Sequence, residues 1–463
     1  MTERTQPVDL SARRRIHVVA VGGYAMSAIA RYFTQLGHEV TGCDVTDSPM
    51  LVALADEGVE VSLGHSVDHV VEGQAFISVT SAVGPEHIEL VHATQLGIPV
   101  LSRGETMQLI VESKPNVAVV SGTHGKTSTT AMLTHILHTA GLHPSFFVGG
   151  VINDFGTNAR FDSEGEWLVV EGDESDHSFL DYRRDIALIT NIEPDHLDRW
   201  GDDFESLLAG FAAFADGATR ACLLCIDDPN VATLAASRPH TTTYGYGESA
   251  MVRAIDYRPT PRGSQIDVVV SGSDPVTVSL KLRGRDMAQN ALGALAMSLE
   301  MGVPLDAAVR GIEAFCGVKR RFEFRGSHNG VDCFDDYAHT STEIRTTLAR
   351  AKEGSWTRVI AVVQPHRYSR VSRHWQDFGN VFGDADIVVV AALDPAFEPP
   401  IAGVSSELVV QAIRGSDPNA KVLSYPDWQQ LRDIPWSLGR PGDCIVTLGC
   451  GSITRIHDDW QSR

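Results

Sequence analysis

The residues Ser121-Gly122-Thr123-His124-Gly125-Lys126-Thr127 carry the sharpest chemical signal in the chain. They stand between an apolar run, VAVVSG, that predicts a strand, and THGKTSTTAMLTHILHTAG, whose periodicity predicts a helix. Glycines let backbone N–H groups close around an anion, a helix start adds partial positive charge, and a lysine neutralises the outer phosphates. The hydroxyl of Thr127 suits Mg2+. The glycines are closer together than in GxxxxGK(S/T), so this is a shortened phosphate loop. A turn that merely capped a helix would not need the lysine and threonine that follow Gly125.

Two acidic segments, LVVEGDESD and NIEPDHLD, end later predicted strands and bring Glu171, Asp173, Glu174, Asp195 and His196 toward the sheet edge that carries the loop. Carboxylates such as Glu171 suit a hard cation, and His196 serves either as a borderline ligand or as a contact to a phosphate or carboxylate. Alone these would read as solvated acidic turns; beside a phosphate loop they read as a site.

Basic residues cluster locally as Arg283 with Arg285, Lys319-Arg320-Arg321, and His366-Arg367 with Arg370. Guanidinium groups match carboxylate and phosphate oxygens, so such clusters gather anions in a chain that otherwise repels them. Arg283 and Arg285 fit a plain surface face equally well. Near the amino terminus, Gly22-Gly23 followed by Asp44 at about the dinucleotide-fold interval suggests a nucleotide, although G-x-G-x-x-G itself is absent.

Positioning these groups requires several α/β layers. A chain of 463 residues is too long for one ordinary core. With 43% hydrophobic and 21% charged residues, it has the composition of a folded globular protein. The layout IHVVAV, GG, YAMSAIARYFTQLG, HEVTGCD reads as a βαβ unit, continued by VEVSLG, AFISVT and GIPVLS. Residues 1–112 are expected to form a Rossmann-like domain. Residues 113–321 are expected to form a central ATPase-type α/β domain around the phosphate loop, with a β-rich stretch before NALGALAMSLEMG. The alternation restarts in VDCFDDYAH, TRVIAVVQP, ADIVVVAAL and DCIVTLGCGSI, so residues 322–463 are expected to form a third, Rossmann-like α/β domain.

The 59 acidic and 38 basic side chains give a formal charge of -21, which argues against nucleic acid as a partner. No apolar run is long enough to cross a bilayer and the first residues lack the apolar core of a signal peptide, so a cytoplasmic protein is expected. The seven cysteines are scattered and odd in number, which fits a reducing compartment. Cys222 and Cys225 form the one CxxC, in an apolar run that reads as a buried strand.

The ordered series GTHGKTSTT, EGDESDHSFL, NIEPDHLD, GVKRRFEFRG, DDYAHTSTE and QPHRYSR resembles the Mur ligases, from VGGYAMSAIA to LGCGSI. The resemblance implies a peptidoglycan-precursor enzyme serving cell-wall synthesis, cell shape and division, with a UDP-sugar domain, an ATP domain and a closing carboxy-terminal domain. It implies ATP-dependent ligation of L-alanine to the lactyl carboxylate of UDP-N-acetylmuramate through an acyl phosphate, with ATP and Mg2+ required and a monomer or homodimer expected. It places ATP on Gly122, Thr123, His124, Gly125, Lys126, Thr127, Ser128, Asn290, Arg321 and Asp336, and metal on Thr127, Glu171 and His196. The UDP-sugar falls to Gly22, Gly23, Asp44, His65, Ser81 and Arg103, and the amino acid to His366, Arg367 and Arg370. Lys126, His196, Arg321 and His339 take the catalytic positions, with His339 as a base for the incoming amine.

The chain departs from the Mur ligases in places. Their GRHN-x-x-N is here Gly284-Arg285-Asp286-Met287-Ala288-Gln289-Asn290, which loses an amide expected to position adenine. Tyr24-Ala25 replaces smaller residues, their GAGDI is here Gly449-Cys450-Gly451-Ser452-Ile453, which loses an acidic side chain, and His339-Thr340-Ser341 replaces a histidine pair followed by proline. Two other readings follow: a related ligase using another amine or a tripeptide, and a nucleotide-binding regulator that keeps the fold without the reaction.

Overall fold

The computed structural model describes residue 8, residues 10–396 and residues 398–462. These contain three sheets. The first is built from β1 (Arg15–Val19), β2 (Glu39–Asp44), β3 (Glu60–Leu63), β4 (Gln74–Val79) and β5 (Val100–Ser102), in the order β3-β2-β1-β4-β5. All its pairings are parallel, as alternating strands and helices demand. Strand periodicity sends Ile16 and Val18 to one core, and Val19 with Cys43 and Ile77 to another on the opposite face.

The second sheet comprises β6 (Asn116–Ser121), β7 (Ser145–Ile152), β8 (Thr157–Arg160), β9 (Trp167–Glu171), β10 (Arg184–Ile189), β11 (Ala218–Cys225), β12 (Thr242–Gly245), β13 (Val252–Thr260), β14 (Gly263–Val270) and β15 (Val276–Leu280). Its order is β15-β14-β13-β12-β11-β10-β6-β9-β7-β8. The strand β6 is buried throughout from Val117 to Ser121 and lies parallel between β10 and β9. Its register sets Val120 opposite Glu171, and Ser121 opposite Ile189. The segments leaving these three strands therefore emerge side by side, which is where α/β sites form. Cys222 and Cys225 are buried in β11, as the apolar pattern predicts.

The third sheet contains β16 (Glu323–His328), β17 (Val331–Asp336), β18 (Val359–Val363), β19 (Ile387–Ala391), β20 (Val422–Tyr425) and β21 (Cys444–Leu448), in the order β16-β17-β21-β18-β19-β20. Only β16 is antiparallel. Separate apolar cores cover its two faces.

The chain forms two compact units. One takes the residues up to Ala254 together with Val268–Val276 and Asn290–Phe315; the other takes Ile255–Asp267, Thr277–Gln289 and the residues from Cys316 onward. No helix among the described residues is long and apolar enough to cross a membrane.

Candidate active site

In the first unit, the segment after β6 turns through two left-handed glycines, Gly122 at φ +135° and Gly125 at φ +83°, into the helix Lys126–Thr139. Neither position has room for a side chain. A Cβ on Gly122 would collide with Thr190 Oγ1, and one on Gly125 with Asn290 Oδ1. Asn290 is thus packed directly on the loop, where the resemblance places an adenine contact.

The loop is also held from β10. Asn191 accepts from the His124 N–H at 2.8 Å and donates to the His124 carbonyl at 3.0 Å, while Thr190 donates to that carbonyl at 2.6 Å. The His124 ring faces Glu193 at 3.4 Å. The Thr123 hydroxyl accepts from the Glu193 N–H at 2.9 Å. Asn191 and Thr190 were not among the sequence-derived site residues; the only sequence signal for Asn191 is its place at the head of NIEPDH.

Lys126 Nζ donates to the carbonyls of Gly122 at 2.5 Å and Thr123 at 3.0 Å, and pairs with Glu174 at 2.8 Å. Burial works to lower its pKa, but the carboxylates of Glu174, Asp173 and Glu171 outweigh burial and hold it above the ordinary lysine value. The ammonium is therefore fixed as a cation in the loop. Thr127 Oγ1 donates to Glu171 Oε1 at 2.9 Å, and Glu171 Oε2 accepts from the Gly149 N–H at 2.7 Å. Ser128 is buried in the first turn of the same helix.

The structure joins Thr127 to Glu171, and pairs His196 with Asp195. The His196 ring lies 3.7 Å from Asp195 and makes no other ion pair or side-chain hydrogen bond among the described residues. It adopts φ +54°, a left-handed conformation that costs a non-glycine residue about 1 kcal/mol or more.

Asp173 and Asp176 hold Arg103, at 3.1 and 2.5 Å. Burial opposes its charge, yet the two carboxylates prevail and raise its pKa. Arg103 begins the helix Arg103–Glu112, so this pair ties a candidate sugar contact to the acidic segment beside the loop. Gly22, Gly23 and Ser81 lie beyond the carboxyl ends of β1 and β4, and Asp44 ends β2, at the switch point of the first sheet. The Gly22 N–H donates to Asp44 Oδ2 at 3.0 Å, and a Cβ on Gly22 would stand 2.9 Å from that oxygen. Tyr24 is half exposed at the start of the following helix. His65 follows β3 and turns its Nδ1 to Cys43 Sγ at 3.2 Å.

The remaining candidates belong to the second unit. Arg321 packs its guanidinium on the Tyr337 ring at 5.3 Å. Asp336, at the end of β17, accepts from the N–H groups of Phe322 at 2.7 Å and Ala338 at 2.8 Å, and faces Arg350 at 3.5 Å. His339 Nδ1 lies 3.3 Å from Glu343. Its ring centroid is 6.5 Å from that of His366. Burial lowers the His366 pKa to about 4, leaving a neutral imidazole at pH 7. Arg367 has φ +64° and leads into the short helix Tyr368–His374, which carries Arg370. Arg283 donates to the carbonyls of Thr260 at 2.9 Å and Pro261 at 2.5 Å and packs on Trp356, so it serves the fold.

A strand-loop-helix lysine site on one mainly parallel sheet, in a chain that carries two further α/β sheets, defines a nucleotide-dependent enzyme of modular build. Residues 15–115 match the Mur ligase family catalytic domain, 120–298 the Mur ligase middle domain, and 320–451 the Mur ligase glutamate ligase domain. The chain belongs to the Mur ligase family.

Among its relatives, a UDP-N-acetylmuramate–L-alanine ligase of Bradyrhizobium sp. is 40% identical over 450 residues, covering 95% of each chain. One of Brucella anthropi is 38% identical over 450 residues, again covering 95% of each. Among solved structures, the UDP-N-acetylmuramate-alanine ligase of Thermotoga maritima superposes with a TM-score of 0.84 over 97% of this chain and 99% of its own, at 23% identity. A murein peptide ligase of Psychrobacter arcticus gives 0.71 over 97% and 98%, at 25% identity.

Proposed function

We propose that this protein joins L-alanine to the lactyl carboxylate of UDP-N-acetylmuramate, converting ATP to ADP and phosphate in a cytoplasmic step of peptidoglycan synthesis. The observation that carries this reading is the Lys126 ammonium, fixed within 2.5–3.0 Å of the phosphate-loop carbonyls and Glu174, in a chain 38–40% identical to L-alanine ligases along 95% of its length.

The chemistry follows from the reluctance of a carboxylate to accept an amine. The carboxylate oxygen attacks the γ-phosphorus of ATP, the bond to ADP breaks, and an acyl phosphate forms. The amine nitrogen then attacks the acyl carbon, the carbon–oxygen bond to phosphate breaks, and the amine proton passes to a base or water. Lys126 offsets the repulsion between the carboxylate and the γ-phosphate. The backbone of residues 122–125 and the helix N-terminus cradle the phosphates, Ser128 supports them, and Asn290, Arg321 and Asp336 are assigned to the nucleotide by the family resemblance. The oxygen donors Thr127 and Glu171 fit a hard cation, and with His196 they would hold Mg2+, which supplies charge neutralisation when bound.

His366, Arg367 and Arg370 bind the amino acid, with the neutral His366 acting as a hydrogen-bond partner rather than a charge. His339 accepts the amine proton. Gly22, Gly23, Asp44, His65, Ser81 and Arg103 receive the UDP-sugar. Residues 1–112, 113–321 and 322–463 accordingly divide the work among sugar, ATP and amino acid.

A second reading, addition of a tripeptide, draws on the likeness to a murein peptide ligase. Phosphate release with ATP, Mg2+ and UDP-N-acetylmuramate, compared for L-alanine, glycine, L-serine and the tripeptide with product mass checked, separates the two. Selective turnover with L-alanine is the expected result. Turnover only with the tripeptide would move the specificity, and tight ATP binding without turnover would favour a regulator.

A further inference from the structure

Three segments of the first unit converge on a carboxylate carried by a fourth. Glu89, in the first turn of the helix Ile88–Gln95, is fully buried, and no lysine or arginine pairs with it among the described residues. Its oxygens instead meet His69 Nδ1 at 2.7 Å, Cys43 Sγ at 3.1 Å and His17 Nε2 at 3.6 Å. Cys43 Sγ is in turn 3.4 Å from His17 Nε2. One donor atom from each of His17, Cys43, His69 and Glu89 lies within 4.8 Å of all the others.

We propose that His17, Cys43, His69 and Glu89 form a transition-metal site, suited to Zn2+, on the Cys43 face of the first sheet. Bonds of about 2.0–2.3 Å to nitrogen, oxygen and sulfur give tetrahedron edges of roughly 3.3–3.7 Å, so the observed spacings need only small side-chain adjustments to admit the ion. The donor set is closed and mixes sulfur with imidazole, which selects zinc-like ions over Mg2+. The charge also balances, because a thiolate, a carboxylate and two neutral imidazoles cancel a divalent cation.

Two features beyond the donors point the same way. His17 Nδ1 is 2.7 Å from Thr41 Oγ1, which fixes the ring and leaves Nε2 for the cluster; this is the outer hydrogen bond that metal-binding histidines use. The His87 ring is packed edge-on against His65 at 4.3 Å, and both its nitrogens are buried without a hydrogen-bond partner. This places an unused imidazole beside His65 and Glu89, where it can serve as an alternative donor. The ion would tie β1, β2, the turn after β3 and the helix after β4 into one closed unit.

The test is demetallation of the full chain with a chelator, followed by titration with Co2+ and competition by Zn2+. About one equivalent should bind, with a thiolate-to-cobalt charge-transfer band and the intense visible absorption of a tetrahedral site. Cys43→Ser should abolish the charge-transfer band, whereas Cys316→Ser, at an exposed thiol, should retain it. Thr41→Val keeps all four donors and removes only the His17 anchor; it should weaken binding about tenfold. Should Cys43→Ser fail to fold, the Thr41→Val titration decides. Folded wild-type protein that binds neither ion at micromolar concentration, a band that survives in Cys43→Ser, or an unchanged affinity in Thr41→Val would each overturn the proposal.

Discussion

Asp286 forms an ion pair with Arg350, and the same guanidinium reaches Asp336 at 3.5 Å. This accounts for one departure from the Mur ligase pattern. The aspartate stands where the family usually has histidine, and it supplies a counter-ion to an arginine that is only 5% exposed. Gly284 is confined by the pair, since a Cβ there would come within 2.8 Å of Arg350 Nε. Removing one partner leaves a buried charge under-compensated, although Asp336 remains. Asp286→Ala should therefore cost about 2 kcal/mol in urea unfolding, and Asp286→Asn less. Asp286→His should be the worst below pH 6, where a second cation would face Arg350. An Asp286→His protein as stable as wild type at pH 5.5 would show that the pair contributes nothing. Met287 is buried, which suits an apolar side chain at that position.

Lys126 in the phosphate loop pairs at 2.8 Å with Glu174 of the acidic segment after β9. Lys126→Ala should lower kcat roughly 10²–10³-fold, by removing a charge that acts on the transferring phosphoryl group. Lys126→Arg should rescue little, because a planar guanidinium cannot replace a compact ammonium in that space. Single-turnover phosphate release measures both; substantial activity in Lys126→Ala would remove the lysine from the chemistry.

Thr127 and Glu171 share one hydrogen bond, at 2.9 Å, and offer oxygen donors. Thr127→Val and Glu171→Gln should each raise the Mg2+ concentration needed for half-maximal activity by about tenfold. His196→Ala should raise it less, since that ring pairs with Asp195 rather than with the other two. A larger effect from His196 than from Glu171 would invert the assignment.

The phosphate loop was legible because strand, glycine turn and helix follow one another within a short stretch, and the acidic segments because each ends an apolar strand. What joins them was not. Arg103 meets Asp173 across 70 positions and Arg350 meets Asp286 across 64, spacings that carry no local period. The cluster around Glu89 was invisible for the same reason, since His17, Cys43, His69 and Glu89 fall on four separate elements with no paired-ligand spacing. Among the strands, β8 (TNAR) and β20 (VLSY) lacked a signal because short edge strands need no long apolar run. The three-sheet α/β build was legible from the alternation of elements, which the register of parallel neighbours then realises.

Arg370 lies on the short helix after Arg367 and makes no ion pair or hydrogen bond through its guanidinium among the described residues. A cation so placed is available to a carboxylate. Arg370→Ala should raise the KM for L-alanine roughly 10- to 100-fold with little change in the KM for ATP, the loss expected for a hydrogen bond to a charged group. Steady-state kinetics with each substrate varied in turn makes the distinction; a shift confined to ATP would place Arg370 elsewhere.

His457 has no exposed surface, accepts or donates one hydrogen bond with Thr447 at 2.8 Å, and leaves Nδ1 unpartnered. Burial lowers its pKa to about 4, against the opposing field of Asp335. The unfolded chain therefore takes up this proton first, near pH 6.5, and the native state only near pH 4. Stability from this group is complete above pH 6.5, falls as the pH drops between these values, and changes no further below about 4. The full difference is about 3 kcal/mol, of which about 2 kcal/mol is lost between pH 7 and pH 5. His457→Gln keeps a partner for Thr447 but cannot protonate, so its stability should lose about 2 kcal/mol less than wild type over that interval. Urea unfolding of both proteins at the two pH values provides the check. Equal losses would mean that the imidazole is already charged in the folded protein, and that Asp335 rather than burial governs it.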